Sequence, residues 1–535
     1  MNLKRSILIV FFGLLVLAGG IACKSQEIGM NSIKAEDMEF HMKFLAADEF
    51  LGRNTPSREL KIASRYIALK AEDLGLKPLM PDGSYLQEIP LDVAAISEVG
   101  SFMSLKSRRG TQRFSFPQSF GTRSRSASPT HISGGVVFLG LGLESPEKGW
   151  DDYKGVNLKG KVAVILDVDL PEDHVLKPNE NRRLFYNLSN TARRKGAAAV
   201  LTVISREREK RMIEKGLSFD NRARSRIQPD RKSSVSPGGS GPYRFEIRHD
   251  PAAAILGISK EELNGLFDLI SSGKQVPSRR ISGATLDVQV EVQNYPAVTH
   301  NVVGYIEGSD PELKDEFVLF GSHHDGIGSY GGRIFNGADD NISGVVAMFE
   351  LAEALMIEKP KRSMIFVWHT GEEKGLWGAS YFISHSPVPV DKMSAELNMD
   401  MLCRNDPNSI YLIGSNKLSS ELDEVIHQVN DKHLQMTLDY TYDDPTHPDR
   451  FFFRSDQYPY IRYGIPGVWF FCGTTEDYHQ ENDDEDRVDY VKMEKVTRLV
   501  YLTAVEIGNR ADILKLDLHP EITTRGEHNM KVAWR

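Results

Sequence analysis

Phe317-Val318-Leu319-Phe320-Gly321-Ser322-His323-His324-Asp325-Gly326 is a short apolar run that stops at a glycine and delivers two imidazoles and a carboxylate. Runs of this kind suit strands buried on both faces, as in the parallel part of an α/β sheet. Met364 to Trp368 repeats the pattern and runs into Gly371-Glu372-Glu373-Lys374-Gly375-Leu376. Val468 to Phe471 does so again and leads to Tyr478-His479, and Leu397-Asn398-Met399-Asp400-Met401 reads as a further strand. Between the first two runs, Gly337-Ala338-Asp339-Asp340-Asn341-Ile342-Ser343-Gly344 precedes Val345, Met348, Phe349, Ala352, Leu355 and Met356 at helical spacing, and that helix ends before Pro360. A second long helix is expected from Asp489 to Ile507. The pattern predicts an α/β fold with a central mixed sheet flanked by helices. In such sheets functional groups gather beyond the carboxyl ends of the strands.

Outward from this region the texture changes. Leu60, Ala63, Ile67 and Ala71 mark a helix stopped by Gly75 and Pro78. From about 130 to 290, Val136 to Leu139, Val162 to Leu166 and Ala199 to Leu201 read as buried strands joined by polar, Arg-rich connections. Arg206 to Lys215 and Arg222 to Lys232 carry many cations and Ser233 to Gly241 is rich in Ser, Gly and Pro. With acidic residues interspersed, the reading is a solvated surface loop, and an anionic partner is the alternative. The chain of 535 residues holds 65 Lys and Arg against 74 Asp and Glu, a formal charge of -9. That balance argues against a general binder of nucleic-acid backbones. Three cysteines exclude a disulfide scaffold, and Cys403 and Cys472 read either as a pair or as two buried thiols.

At the N-terminus, Lys4 and Arg5 precede an apolar stretch from Ile7 to Ala18, small residues and Cys23. The stretch is short for a membrane span and resembles a bacterial lipoprotein signal, with Cys23 as the lipidated residue. An ordinary secretory signal is the alternative. Either way an exported protein is expected, placed in the periplasm or on the outer membrane of a Gram-negative bacterium.

Taken singly, the polar motifs are ambiguous: Asp340 also reads as a helix N-cap, Asn398 as a buried polar group, and Glu372-Glu373 as a solvated pair. Together they offer two His and three carboxylates. Imidazole nitrogen and carboxylate oxygen suit zinc, and the thiolates of a structural zinc site are missing. If one carboxylate bridges, each of two ions has three protein ligands and keeps an open position. Two Zn²⁺ against three carboxylates leave a net charge of about +1, which favours a bound hydroxide. Such a pair polarises a carbonyl and activates water together.

These motifs, in this order, resemble the M28 zinc metallopeptidases, the family of bacterial leucyl-type aminopeptidases. Arg454-Ser455-Asp456 and Gly464-Ile465-Pro466 are similar to family segments as well. The resemblance implies a zinc-peptidase-like three-layer α/β/α domain and two Zn²⁺ per chain. It implies Asp340 as the bridging ligand, His323 and Asp400 on one zinc, and Glu373 and His479 on the other. Glu372 would be the general base, Tyr478 the donor to the oxyanion, and Asp325 the group orienting the His323 imidazole. The Asp340–Asn341 peptide bond is often cis in this family. Asp152 to Gly155, Gly160 to Val162 and Pro251 to Gly257 resemble a β-rich protease-associated domain. The expected division is a signal at 1–22, an N-terminal part of the peptidase at 30–115, the insert at 116–290, the catalytic domain at 291–515 and a tail at 516–535.

The implied function is an aminopeptidase acting on peptides, with no nucleic-acid partner and a membrane attachment through the N-terminal lipid. Alternatives are a carboxypeptidase or dipeptidase with Arg454 or Arg462 as carboxylate anchor, a single-zinc glutaminyl cyclase-like transferase, and a non-catalytic transferrin-receptor-like binding protein. His324 and His369 read as packing or supporting residues, and Trp150, Trp377 and Trp469 as core. Glu481 to Asp489 reads as the acidic start of the last helix.

Overall fold

The computed structural model describes residues 27–122, 129–171, 173–174, 176, 188, 190–228 and 243–519. The expected signal, Cys23, residues 229–242 and the end of the tail lie outside the described residues. The chain divides into two compact units. One comprises the chain up to Leu91, Ala297–Ser329 and everything from Ile334, and the other Asp92–Pro296 with Tyr330–Arg333.

In the first unit the elements follow as α1 (Ala35–Leu45), α2 (Arg58–Asp73), β1 (Leu86–Ile96), β2 (Val292–Ile306), β3 (Phe317–His323), α3 (Ser343–Ile357) and β4 (Ser363–His369). They continue as α4 (Trp377–Ser384), β5 (Met393–Met399), β6 (Ser409–Ile413), α5 (Ser420–His433), β7 (Thr437–Asp439), α6 (Gln457–Arg462), β8 (Gly467–Phe471) and α7 (Tyr490–Asn509). The sheet order is β1-β2-β4-β3-β5-β8-β6-β7. β4, β3, β5 and β8 run parallel, whereas β2 and β6 pair antiparallel to β4 and β8. The four parallel strands are buried at every position, which is why their sequences are continuously rather than alternately apolar. Register then sets the site: His323 pairs with His369 and Gly321 with Asn398, so the carboxyl ends come out together at one sheet edge.

α3 is covered around most of its circumference, with Val345 to Ala352 all buried and its apolar residues packed against β3, β5, α1 and α7 in one core. A helix of that composition has to be enclosed by its neighbours. α7 begins where Asp489 accepts the backbone N–H of Lys492 at 2.9 Å. Its far end is tied down by buried Arg362, which donates to the carbonyls of Ile507, Arg510 and Ala511 and to Glu316.

The second unit holds an eight-stranded sheet. Val162–Leu166 lies parallel between Thr130–Phe138 and Ala199–Val203. The unit starts earlier than the expected residue 116 because Phe102–Ser107 and Gly110–Ser115 pair into this sheet through Arg279–Val290. The Arg-rich stretch after 205, expected as a loop, is a helix over Arg206–Glu214 capped by Ser205. Its cations meet carboxylates, Arg208 with Glu246 at 2.7 Å and Arg206 with Asp268 at 2.6 Å, so paired charges let it fold on the surface.

Where α3 passes under β5, Gly344 leaves no room for a side chain: a Cβ there would stand 2.2 Å from the Met399 carbonyl oxygen and 2.6 Å from Ser322 Oγ. A backbone carbonyl inside a sheet cannot retreat. Gly344→Ala is expected to cost about 3 kcal/mol of stability, read as a lowered urea midpoint at unchanged slope. An unchanged midpoint would contradict the close packing.

Candidate metal centre

The site residues lie beyond the ends of the parallel strands, with Asp340 at the entry to α3. His323 closes β3 and Asp400 follows β5. Glu372 and Glu373 share the short turn after β4, flanked by Gly371 and Gly375, both in the left-handed region at φ 70 and 116. Gly371 has a second reason to be glycine, since Trp377 stands 3.0 Å from where its Cβ would be. His479, past β8, adopts φ 57 despite its side chain, a conformation that in a non-glycine residue is held by its surroundings. Asp340 lies in the turn that enters α3, and its peptide bond to Asn341 is cis, as the resemblance implied. Asn341 locks that turn. Its Nδ2 donates to the Met399 carbonyl at 3.0 Å, and its Oδ1 accepts from the N–H groups of Gly344 at 3.1 Å and Met401 at 3.2 Å.

The predicted ligands converge in two groups that share Asp340: His323, Asp340 and Asp400, and Asp340, Glu373 and His479. His323 Nε2 lies 3.2 Å from Asp340 Oδ1 and 3.4 Å from Asp400 Oδ1. His479 Nε2 lies 3.1 Å from Asp340 Oδ2 and 3.5 Å from Glu373 Oε2. Tetrahedral ligands about 2.0–2.1 Å from zinc stand about 3.3 Å from one another, and the observed spacings bracket that value. Buried His323 Nε2, Asp400 Oδ1 and Glu373 Oε1 have no hydrogen-bond partner, and buried polar atoms do not stay unmatched without cause. The residues therefore fit a zinc ion in each group, with Asp340 offering one oxygen to each. Glu372 Oε2 stands apart from both groups, 3.8 Å from His323 Nε2.

Asp325 does meet the His323 ring, but through its backbone. His323 Nδ1 is 3.1 Å from the Asp325 backbone carbonyl and 3.8 Å from its carboxylate, so the carbonyl sets the tautomer. The carboxylate is used elsewhere: it accepts from the backbone N–H of Glu372 at 3.1 Å and from Thr55 Oγ1 at 2.9 Å. Asp325 thus anchors the turn carrying the two glutamates.

Several supporting residues were not legible in the sequence. Asp483, taken as part of a helix start, accepts from the N–H groups of Asp339 and Asp340 at 2.9 and 3.0 Å and from Arg404 at 2.9 Å. Ser455 donates to Asp400 Oδ2 and accepts from Asn398 Nδ2 at 2.7 Å. Trp469, expected as core, lines the cleft and donates from Nε1 to the Asp400 carbonyl at 2.7 Å. Arg53 is fully buried beneath the site and donates to the carbonyls of His324, Leu45, Asn336 and Gly337. Cys403 and Cys472 are free buried thiols, both donating to Asp339, at 3.0 and 3.3 Å. Buried His324 meets Ser64 Oγ at 2.7 Å and His369 meets the Tyr460 hydroxyl at 2.8 Å, in supporting roles as read.

The two groups open onto a cleft of about 570 Å³ whose lining includes Leu376, Met401, Phe451, Phe453, Tyr458 and Phe471. Arg454 lines it too, and donates to the Tyr478 hydroxyl at 2.8 Å. Arg462, the other candidate carboxylate anchor, is not part of the lining and stands 5.9 Å from the Tyr458 ring. Electrostatics inside the site oppose one another. Burial pushes Glu373 up to about 7, helped by the charge of Asp340. Burial likewise drives Glu372 well above the carboxylate range. For His479, burial alone would lower the pKa, but the hydrogen bond to Asp340 and the charge of Glu373 win and raise it to about 9. The carboxylates around His323 raise it in the same way against its burial.

Residues 301–504 match the model of peptidase family M28. Over 235 residues the chain is 28% identical to probable leucine aminopeptidase 2 of Aspergillus oryzae, covering 43% of each chain. It is 27% identical over 234 residues to leucine aminopeptidase 2 of Arthroderma otae, covering 43% of this chain and 42% of that one. The chain therefore spans less than half the length of these curated relatives. A zinc aminopeptidase from Bacillus subtilis has the same fold, with TM-score 0.54 at 17% identity over 91% of this chain and 99% of that one. So does an aminopeptidase from Aneurinibacillus sp. strain AM-1, with TM-score 0.52 at 18% identity over 92% and 97%.

A ligating imidazole must be neutral, whereas His479, with its pKa near 9, carries a proton at pH 7.5 in the metal-free chain. Adding Zn²⁺ at that pH is expected to release protons, that of the His479 imidazole among them, and apparent affinity should rise with pH up to about 9. Titration calorimetry in two buffers of different ionisation enthalpy measures this. Heats that do not depend on the buffer would be the contrary result.

Proposed function

Taking residues 301–504 as a peptidase family M28 domain, we propose that this chain is an aminopeptidase that uses two zinc ions to hydrolyse the first peptide bond of its substrate. The observation that carries the reading is the pair of three-ligand groups sharing Asp340 at the wall of an open cleft. The names of the relatives, leucine aminopeptidase 2 and zinc aminopeptidase, support it. His323, Asp340 and Asp400 would hold one ion, and Asp340, Glu373 and His479 the other. Bound there, zinc would polarise the scissile carbonyl and lower the pKa of a water molecule.

The protein's own groups do the rest. Glu372, outside both ligand groups and held by the bond from its N–H to Asp325, takes the proton of the attacking water and passes it to the leaving amine. The Tyr478 hydroxyl donates to the carbonyl oxygen as it becomes an oxyanion. The carboxylates lining the cleft attract the free ammonium group of the substrate, and the apolar wall takes the adjoining side chain. A non-catalytic role would leave this complete set of ligands and base without purpose, and a carboxypeptidase would need a cation free of other work, whereas Arg454 is bonded to Tyr478.

We also propose, from the Lys4 to Cys23 pattern, that the chain is exported and tethered through a lipid at Cys23, with the second unit as a protease-associated-like module. No helix among the described residues is long and apolar enough to cross a membrane.

A panel of aminoacyl 4-nitroanilides beside N-acetylated and C-terminal reporters tests the class. Cleavage of free-amine substrates alone, lost on chelation and restored by Zn²⁺, is expected. Preference for N-blocked or C-terminal reporters would reject it. Glu372→Gln should keep its zinc by elemental analysis and lose about a thousandfold in kcat. Near-normal turnover with metal bound would remove Glu372 from the role of base.

A further inference from the structure

One hydrogen bond in the cleft is left without purpose by the mechanism above. Arg454 Nη2 stands 2.8 Å from the Tyr478 hydroxyl oxygen. A guanidinium only donates, so the phenol oxygen is the acceptor and its proton must point elsewhere. No acceptor among the described residues takes that proton. The tyrosine ring lies stacked on the His479 imidazole at 3.9 Å between centroids, so the hydroxyl turns about a fixed ring, and the arginine blocks one side of its rotation. The guanidinium is itself held in place, 4.7 Å from the Phe451 ring centroid and 5.8 Å from that of Tyr478. Its backbone N–H donates to the Phe451 carbonyl at 2.8 Å. The next residue, Ser455, donates to the Asp400 carboxylate. One short turn thus fixes a ligand of the first group and the tyrosine beside the second.

We propose that Arg454 is a positioning residue: it pins the Tyr478 phenol so that the hydroxyl proton faces the cleft, where the substrate's carbonyl oxygen gains charge. A charged donor on the phenol oxygen also polarises its O–H bond, strengthening the hydrogen bond that the phenol makes in turn. The inference rests on the aminopeptidase reading for its catalytic consequence, and on geometry alone for the pinning. It also assigns the cleft arginine away from a substrate carboxylate.

The test is a double-mutant cycle with the full chain. Tyr478→Phe should lower kcat about a hundredfold, as loss of an oxyanion donor does. Arg454→Met should lower kcat about tenfold with KM little changed, Arg454→Lys should recover part of that, and Arg454→Met placed on Tyr478→Phe should cost nothing further. If the two losses multiply, or if Arg454→Met raises KM at constant kcat, the arginine acts on substrate directly and the proposal fails. A second readout needs no activity: the ¹³Cζ resonance of Tyr478 in the metal-free chain, identified by its loss in Tyr478→Phe. Arg454→Met should move it and Arg454→Lys should move it less; an unmoved resonance rejects the pinning. Should the wild type cleave no aminoacyl substrate, the aminopeptidase reading falls, while the resonance still decides whether Arg454 holds the phenol.

Discussion

The site depends on repulsion among carboxylates. Asp340 has oxygens within 4.8 Å of those of Asp400 on one side and Glu373 on the other, and Glu372 adjoins them; buried like charges are tolerated only where cations or protons answer them. Two imidazoles on opposite sides of Asp340 give part of that answer. The remainder is the work for which divalent ions are suited. Such an arrangement is unfavourable unless the backbone forces the side chains together, and the parallel strands do so by ending at one edge of the sheet.

Behind the ligands lies a chain of polar contacts that makes each position depend on the next. Asn341 ties the Asp340 turn to β5, Asp483 receives two N–H groups of that turn, and Arg404 neutralises Asp483. Asp339, next to Asp340, takes both cysteine thiols, so of the two readings the sequence allows, a pair or two buried thiols, the second holds, and the thiols act as weak donors to a buried carboxylate. Because the Asp325 carboxylate carries the glutamate turn while its carbonyl meets the His323 ring, Glu372 and Glu373 are positioned by a residue at the end of a different strand.

The strands, α3, α7 and the five side chains that converge around Asp340 are legible because each is written locally: an apolar run, a glycine stop, then hard donors. Ser455, Trp469 and Asp483 are not, since their partners lie far along the chain and only strand register brings them close. Trp469 shows the difficulty well. As an apolar residue inside a buried strand it reads as core, and it is core, but the strand ends at the cleft and its indole N–H finds the Asp400 carbonyl. The start of the second unit is hidden for a similar reason: nothing in Phe102–Ser115 says which of two sheets it will join. The Arg-rich helix was missed because charge density suggests a solvated loop unless the paired carboxylates, dozens of residues away, are known.

An early helix of the first unit is sealed by a late one. α1 packs on α7, with the Ala35 N–H bonded to Glu494 and the Lys34 N–H to Glu350. During synthesis at about 5–20 residues per second, α1 leaves the ribosome well over twenty seconds before its seat exists. Its apolar face, with Met38, Met42 and Leu45 destined for full burial, must stay uncommitted through that interval.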